Sequence, residues 1–390
     1  MSQKETRPVW AEINLDNLAH NIKEVRRITR KESLVTAVVK ADAYGHGAAI
    51  VANTFLKNGA DRLAVATLSE AIELRNSNIE APILILGYTP EYQSKALVEH
   101  NIISAVYKYE QAKAISDEAI KLQKTAKVHV KVDTGMSRIG YLPNEDSADE
   151  ILKMSNLPNL EIEGLFTHFA LADDEDKTTT KIQFERFQWM VSELEKRGIK
   201  IPIKHVSNSA AIIDLPEYNM DMVRAGIILY GLYPSEDVHK SRIDLKPAMT
   251  LKAKISHVKE IEENTGISYG HIYVTDSKTK IGTVPIGYAD GYTRLLSNKV
   301  EGAINGIRVP NVGRICMDQC MFDITNIEKV SPGDEILLFG DGSKNEPHID
   351  EIASMLGTIN YEIVCMISKR VPRVYKEANE IVYIRDYILK

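Results

Sequence analysis

From residue 34 to about 225, short apolar and β-branched runs alternate with longer stretches whose apolar positions recur at helical spacing. The short runs are "LVTAVV" (34–39), "LAVA" (63–66), "ILIL" (83–86), "ISAV" (103–106), "KVHVKV" (127–132), "LEIEGLFT" (160–167), "PIKHV" (202–206) and "DMVR" (221–224). Between them lie stretches such as "LSEAIELRNSN" and "TKIQFERFQWMVSELEKRG", with glycine or asparagine near the ends, where helices stop. This alternation predicts a parallel sheet covered by helices, because parallel strands need long crossovers. Eight such strands fit a closed (β/α)8 barrel. A doubly wound open sheet is the alternative, weakened by the lack of a GxGxxG turn after the first strand.

After "YGLYPS" the pattern changes. Residues 246–375 carry β-rich segments broken by "NTG", "DG", "NG", "SPGDE" and "GDG", with one amphipathic helix, "HIDEIASMLG", among them. This predicts a second, mostly-β domain. The strand-like "RPVWAEIN" near the start suits either domain.

Composition narrows the class of function. A chain of 390 residues, 44% hydrophobic, is long for one core and supports two domains. The net charge is -6 and no lysine-arginine stripe forms, which argues against nucleic-acid binding. The start "MSQKETRPVW" lacks the apolar core of a signal peptide, and no apolar run reaches membrane-spanning length. A cytoplasmic, soluble protein is therefore expected. Cys316, Cys320 and Cys365 contain no CxxC pair, so neither a disulfide framework nor a zinc site is expected. Cys316 and Cys320 read as packing residues. The acidic "DDED" at 173–176 reads as a solvated loop.

The candidate chemistry begins at "AVVKADAYGHGA". Lys40 stands at the C-terminal end of the first strand, the edge where barrel enzymes assemble their sites. An amine held at an apolar strand tip loses hydration, its pKa falls, and it becomes a nucleophile able to form a Schiff base. Taken alone, a lysine snorkelling from the barrel mouth is the preferred explanation, and it is the company of other polar strand ends that changes the weighting. Other strand ends carry polar groups too: "KVDTGMSRIG" after the fifth, His168 after the sixth, "SNSAA" after the seventh and "RAG" at the eighth.

The motifs "VVKADAYGHG", "VKVDTGMSRIG", "FTHFA", "HVSNSA", "RAGIILYG", "ISYG", "PIGYADGYTR", "VGRICMDQ" and "INYE" resemble those of the alanine racemases, in the same order and across nearly the whole chain. The resemblance implies a pyridoxal 5'-phosphate enzyme that interconverts L- and D-alanine, supplying D-alanine for peptidoglycan. It implies an N-terminal (β/α)8 barrel over residues 13–245 and a C-terminal β-domain over 246–390. Residues 1–12 would pack with the latter. It also implies a homodimer with active sites shared between subunits, with no metal.

The same resemblance assigns roles. Lys40 would hold the cofactor covalently and act as one base; Tyr269, from the other subunit, would be the second. Tyr44, Ser209, the backbone of Gly226 and Ile227, and Tyr361 would bind the phosphate. Ser209 is also a plausible helix N-cap before "AAII". Arg224 would face the pyridine nitrogen, to which a guanidinium can only donate. His168 would link the Tyr269 phenol towards Arg224. Arg138 and the Met317 backbone would take the substrate carboxylate. Lys131 would be carbamylated, or else paired with Asp133. Tyr288, with Tyr361 and Met317, would crowd the side-chain pocket, and Asp173, Arg294, Arg314, Ile359 and Tyr361 would line the access corridor. A racemase of serine, lysine or a broader set, a non-catalytic cofactor carrier on a lone barrel, and a decarboxylase of this fold are the competing functions. The β-domain and "ISYG" argue against the last two.

Overall fold

The computed structural model describes residues 6–389; the first five residues and Lys390, which open and close the segments 1–12 and 246–390 assigned above, lie outside them. Two compact units divide the chain. One contains residues 18–43 and 48–245, the other the residues up to 17, 44–47, and those from 246 onward.

The larger unit is built on eight strands: β2 (Leu34–Val38), β3 (Arg62–Val65), β4 (Ile83–Ile85), β5 (Ile103–Val106), β6 (Ala126–Lys131), β7 (Leu160–Phe166), β8 (Ile203–His205) and β9 (Met222–Ala225), following β1 (Val9–Asn14) of the other unit. They lie in the order β8-β7-β6-β5-β4-β3-β2-β9, every ladder parallel. Across the seam between β8 and β9, the Asp221 N–H donates to the Lys204 carbonyl and the Arg224 N–H to the Ser207 carbonyl, each at 3.1 Å. The sheet therefore curls into a nearly closed barrel, and the open doubly wound alternative is discarded. Helices cover it as the periodicity requires: in Thr178–Lys196 the buried positions Gln183, Phe187, Met190 and Leu194 recur every three or four residues. Leu68–Asn76 begins with a capping box between Thr67 and Glu70.

The smaller unit is mostly β. Its strands are β10 (Met249–Lys254), β11 (His257–Ile261), β12 (Gly266–Ile267), β13 (Tyr273–Val274), β14 (Thr279–Val284), β15 (Glu301–Ile304), β16 (Ile307–Pro310), β17 (Cys320–Asp323), β18 (Glu335–Phe339), β19 (Arg373–Glu377) and β20 (Glu380–Arg385). The main sheet runs β16-β15-β18-β10-β1-β19-β20. β1 pairs antiparallel with β10 and parallel with β19, so both of its edges are taken within this unit. The expected helix is present at Ile349–Leu356, and a second, Asn360–Met366, follows it and was not anticipated.

The short segment 44–47 belongs to this unit through specific bonds. The buried Arg373 donates from Nε to the Gly45 carbonyl at 2.9 Å, and the Tyr375 hydroxyl donates to the His46 carbonyl at 3.0 Å. Gly47 has φ +93°, and a Cβ there would sit 1.8 Å from the Tyr375 hydroxyl, so no side chain fits.

Candidate active site

Lys40 lies just beyond β2, half-buried, at the start of a turn with an unusual backbone. Ala41, Asp42, Ala43 and Tyr44 all have φ between 51° and 53°. Left-handed backbone costs roughly 1–2 kcal/mol per non-glycine residue, so the turn persists only because its surroundings hold it. The holders are visible. The Ala41 N–H donates to Glu70 Oε1 at 2.7 Å, while Glu70 Oε2 accepts from Ala66 N at 2.7 Å and Thr67 N at 3.1 Å. One carboxylate thus ties the Lys40 turn to the end of β3. The Asp42 carboxylate accepts from the Ala48 N–H at 2.8 Å. Glu70 went unnoticed in the sequence, and its second role in the Thr67 capping box appears only in the structure.

Arg224, 3% exposed on β9, is the most heavily bonded side chain of the barrel edge. Its Nη1 lies 2.8 Å from His205 Nδ1 and 3.1 Å from the His205 carbonyl. Its Nη2 donates to the carbonyls of Thr167 at 2.8 Å and Val206 at 3.0 Å, and lies 3.3 Å from His168 Nδ1. Nε has no partner among the described residues. Burial lowers the Arg224 pKa to about 9, so the cation survives at neutral pH.

His168 follows β7. A guanidinium only donates, so His168 Nδ1 accepts and its proton resides on Nε2. Burial first, and then the charges of Arg224, Arg138, Lys131 and Lys40, hold its pKa well below the usual imidazole value. It is therefore a neutral ring with one N–H to offer. Lys131 is 3% exposed at the end of β6, with Nζ donating to the Val132 carbonyl at 2.7 Å. The alternative pairing with Asp133 is not made: that carboxylate accepts the N–H groups of Gly135, Ser137 and Arg138 at 3.0 to 3.1 Å. Burial, then the neighbouring Arg224, pushes the Lys131 amine down to about 7. The Arg138 side chain is exposed on the loop after β6.

Ser209 and Gly226 meet at the same edge. The Gly226 N–H donates to the Ser209 hydroxyl at 3.0 Å, which leaves the hydroxyl proton for another acceptor. Ser209 is not the helix N-cap. Asn208 holds that position, its side chain accepting the Ala211 N–H at 3.1 Å. Gly226 has ψ −108°, outside the regions open to residues with a Cβ, and Ile227 starts a 3-10 turn after it.

The smaller unit carries the remaining residues. Tyr44 is buried, its ring centroid 6.2 Å from that of Tyr361, and burial raises its phenol pKa. Tyr269, 72% exposed, borders an open cavity of about 590 Å³ with Ser268, His271, Cys316 and Gln319. Cys316 is thus a cavity wall, its Sγ 3.4 Å from the Ser268 hydroxyl, whereas Cys320 is fully buried packing. Arg314 packs beside Gly270, its buried Nε without a partner among the described residues. Tyr288, Met317, Ile359 and Arg294 are exposed on this unit, and Asp173 is half-buried in the loop after β7 of the barrel.

Comparison with known proteins agrees with the geometry. Residues 13–234 match the family profile described as alanine racemase, N-terminal domain, and residues 248–375 the profile for alanine racemase, C-terminal domain. The chain is 53% identical over 386 residues to the alanine racemase of Clostridium tetani, covering 99% of this chain and 100% of that one. It is 56% identical over 368 residues to that of Methanococcus maripaludis, covering 94% and 98% respectively. The solved structure of alanine racemase from Clostridium difficile 630 superposes with a TM-score of 0.95 at 49% identity, covering 98% of this chain and 99% of that one. Both halves of the chain and its full length thus lead to one answer: it belongs to the alanine racemase family.

Proposed function

We propose that this chain interconverts L-alanine and D-alanine with pyridoxal 5'-phosphate, in a homodimer whose sites draw on both subunits, and that the D-alanine feeds peptidoglycan precursors. The observation that carries this reading is the excess of positive charge around Lys40 and His168 at the barrel edge. Arg224 and Arg138 supply it, and the Asp133 carboxylate is already occupied by backbone N–H groups. Such an edge suits a phosphorylated aromatic cofactor and an amino-acid carboxylate.

The residues present fit that cofactor. The Ser209 hydroxyl, beside Gly226 and Ile227, has a proton to donate to a phosphate, and the motif resemblance gives Tyr44 and Tyr361 the same anion-binding role. Arg224 has one N–H, on Nε, left for a ring nitrogen. When bound, pyridoxal phosphate withdraws electrons from the substrate through its ring and so acidifies the Cα–H. Because Arg224 donates and never accepts, it leaves that ring unprotonated and a modest electron sink. Prompt return of the proton is then favoured over transamination.

Lys40 anchors the cofactor and moves a proton at one face of Cα. The partner subunit's Tyr269 serves the opposite face, since a single tethered base inverts a centre poorly. A phenol of pKa about 10 needs donors to work near neutrality, and the Nε2–H of His168 is one. Arg138 orients the substrate carboxylate, with the backbone of the partner subunit's Met317 as second donor. Tyr361 and the partner subunit's Tyr288 limit the side chain to a methyl. Asp173, Arg294, Arg314 and Ile359 border the approach.

Purified protein loaded with cofactor should turn either pure enantiomer of alanine into an equal mixture, followed by loss of circular dichroism. Serine and lysine should react at least about tenfold more slowly. Faster turnover of either would displace alanine as the substrate, and no turnover of any amino acid would end the racemase reading.

Lys131 adds a modification. An amine with a pKa of about 7 is largely neutral above that pH, and only the neutral form adds carbon dioxide, releasing a proton and leaving a carbamate anion. Such an anion would hold Arg138 in place. Carbon-13 NMR of protein in labelled bicarbonate should show one carbamate signal that grows as pH rises through about 7 and is missing in Lys131→Met. The same signal in both proteins would assign it elsewhere.

A further inference from the structure

A line of buried polar side chains crosses the barrel interior from Arg224, and beyond Arg224 its members have none of the roles above. Arg224 Nη1 lies 2.8 Å from His205 Nδ1. His205 Nε2 lies 2.8 Å from His129 Nδ1, and His129 Nε2 lies 3.0 Å from Glu163 Oε2. Glu163 is gripped by Arg62 Nη1 at 2.5 Å and Lys127 Nζ at 2.8 Å. Both histidines are fully buried and Glu163 is 4% exposed. β3 and β7 are not neighbours in the sheet, so the Arg62–Glu163 pair spans the interior.

The backbone is shaped to admit this line. The pairing of β6 with β7 shifts register between Val128 and His129, leaving Glu163 as the extra residue of a bulge. A Cβ on Gly164 would come 2.3 Å from His129 Nδ1, so only glycine leaves room for the ring. His205 is further fixed by stacking on Phe166, ring centroids 4.8 Å apart and planes 3° from parallel.

The protons can be placed by elimination. Arg224 only donates, so His205 Nδ1 accepts and its proton is on Nε2. That N–H makes His129 Nδ1 an acceptor, and the His129 proton then points from Nε2 to the Glu163 carboxylate. Both rings are neutral. Burial, then the Arg224 charge, holds His205 well below its usual pKa, and burial outweighs the pull of Glu163 on His129. Every N–H along the line therefore points the same way. Arg224 has no carboxylate among its own partners, and Glu163 is the anion this line brings to it.

We infer that His205, His129 and Glu163 are positioning residues that fix the plane and donor direction of Arg224, so that its Nε, and no acceptor, faces the barrel mouth. The inference rests on the reading that Arg224 meets the cofactor ring. Its first consequence, the tautomers, is measurable whatever the protein catalyses. Glu163 Oε2 accepts from both Arg62 Nη1 and His129 Nε2, while Lys127 and Arg62 Nη2 meet Oε1. Glu163→Gln removes the anion that holds the His129 proton on Nε2, and an amide whose oxygen stays with Lys127 turns its NH2 to His129, reversing the line so that a His205 N–H meets an Arg224 N–H.

Nitrogen-15 NMR of histidine-labelled holoenzyme should show His129 and His205 protonated on Nε2 and not titrating between about pH 6 and 9. Glu163→Gln should alter both tautomers and lower kcat about tenfold or more, with KM little changed. Glu163→Asp should recover part of the loss. If Glu163→Gln does not fold, His129→Gln and His129→Leu decide: the amide can both accept and donate and should stay within a few-fold of wild type, while leucine should not. A proton on His205 Nδ1, a ring that titrates in that range, an unchanged Glu163→Gln enzyme, or equal losses in the two His129 variants would overturn the inference. Correct tautomers in a protein that racemizes nothing would instead overturn the functional reading and leave the line's polarity standing.

Discussion

Lys40→Ala protein is expected to racemize alanine at least about 10³-fold more slowly than wild type, because one change removes both the proposed covalent anchor and one of the two proposed bases. Cofactor should still bind weakly through the anion site around Ser209 and Gly226. It should no longer become fixed to the chain when the complex is reduced with borohydride. Peptide mapping of the reduced wild-type protein should find the cofactor on Lys40. A reducible link that survives in Lys40→Ala would put the anchor on another lysine, and the assignments around the barrel edge would fall with it.

Tyr269→Ala homodimers should be nearly as inactive, since Tyr269 is proposed as the base on the other face. Mixing the two defective proteins gives the sharper result. If Lys40 and Tyr269 meet across a two-fold interface, each mixed dimer has one site with both lesions and one with neither. Random assortment makes about half the dimers mixed, so roughly a quarter of all sites should regain wild-type chemistry. The measurement is racemase activity after co-refolding at equal amounts, with mixed dimers isolated by two different tags. Mixed dimers that form yet show no recovery would require both bases to come from one chain, or another group to replace Tyr269.

The barrel could be read directly from the sequence because its strands are β-branched runs, each followed by a helix of clear period. All eight runs match strands to within a residue or two. The partners of β1 could not be read, because "RPVWAEIN" is apolar enough for either unit and pairing is a tertiary fact. The helix Asn360–Met366 was missed because seven residues make too short a period. The N-cap fell one residue away, on Asn208, since asparagine and serine cap equally well. Lys131 bonds a carbonyl because Asp133 is consumed by its own turn, a local geometry that composition does not reveal. The interior line escaped notice for another reason. The bulge at Glu163 breaks the two-residue alternation that would have marked its side chain as inward, and His129 looks like an ordinary member of "KVHVKV". Tyr269, Tyr288 and Met317 received their proposed roles only through motif resemblance, since exposure on one chain does not by itself mark a side chain for function.

The placing of β1 sets a clock on synthesis. Its antiparallel partner begins at residue 249 and its parallel partner at 373, with the whole barrel encoded between residue 14 and the first of them. At about 5–20 residues per second, the ribosome needs roughly 20 to 70 seconds to deliver both. Through that interval "VWAEIN" has two open edges and four apolar side chains, the kind of strand that pairs with whatever it meets. β1 is therefore made before all the strands of its sheet yet is paired on both edges only after residue 373 has been added, so the sheet waits for the entire barrel and most of the β-rich segment to be synthesised.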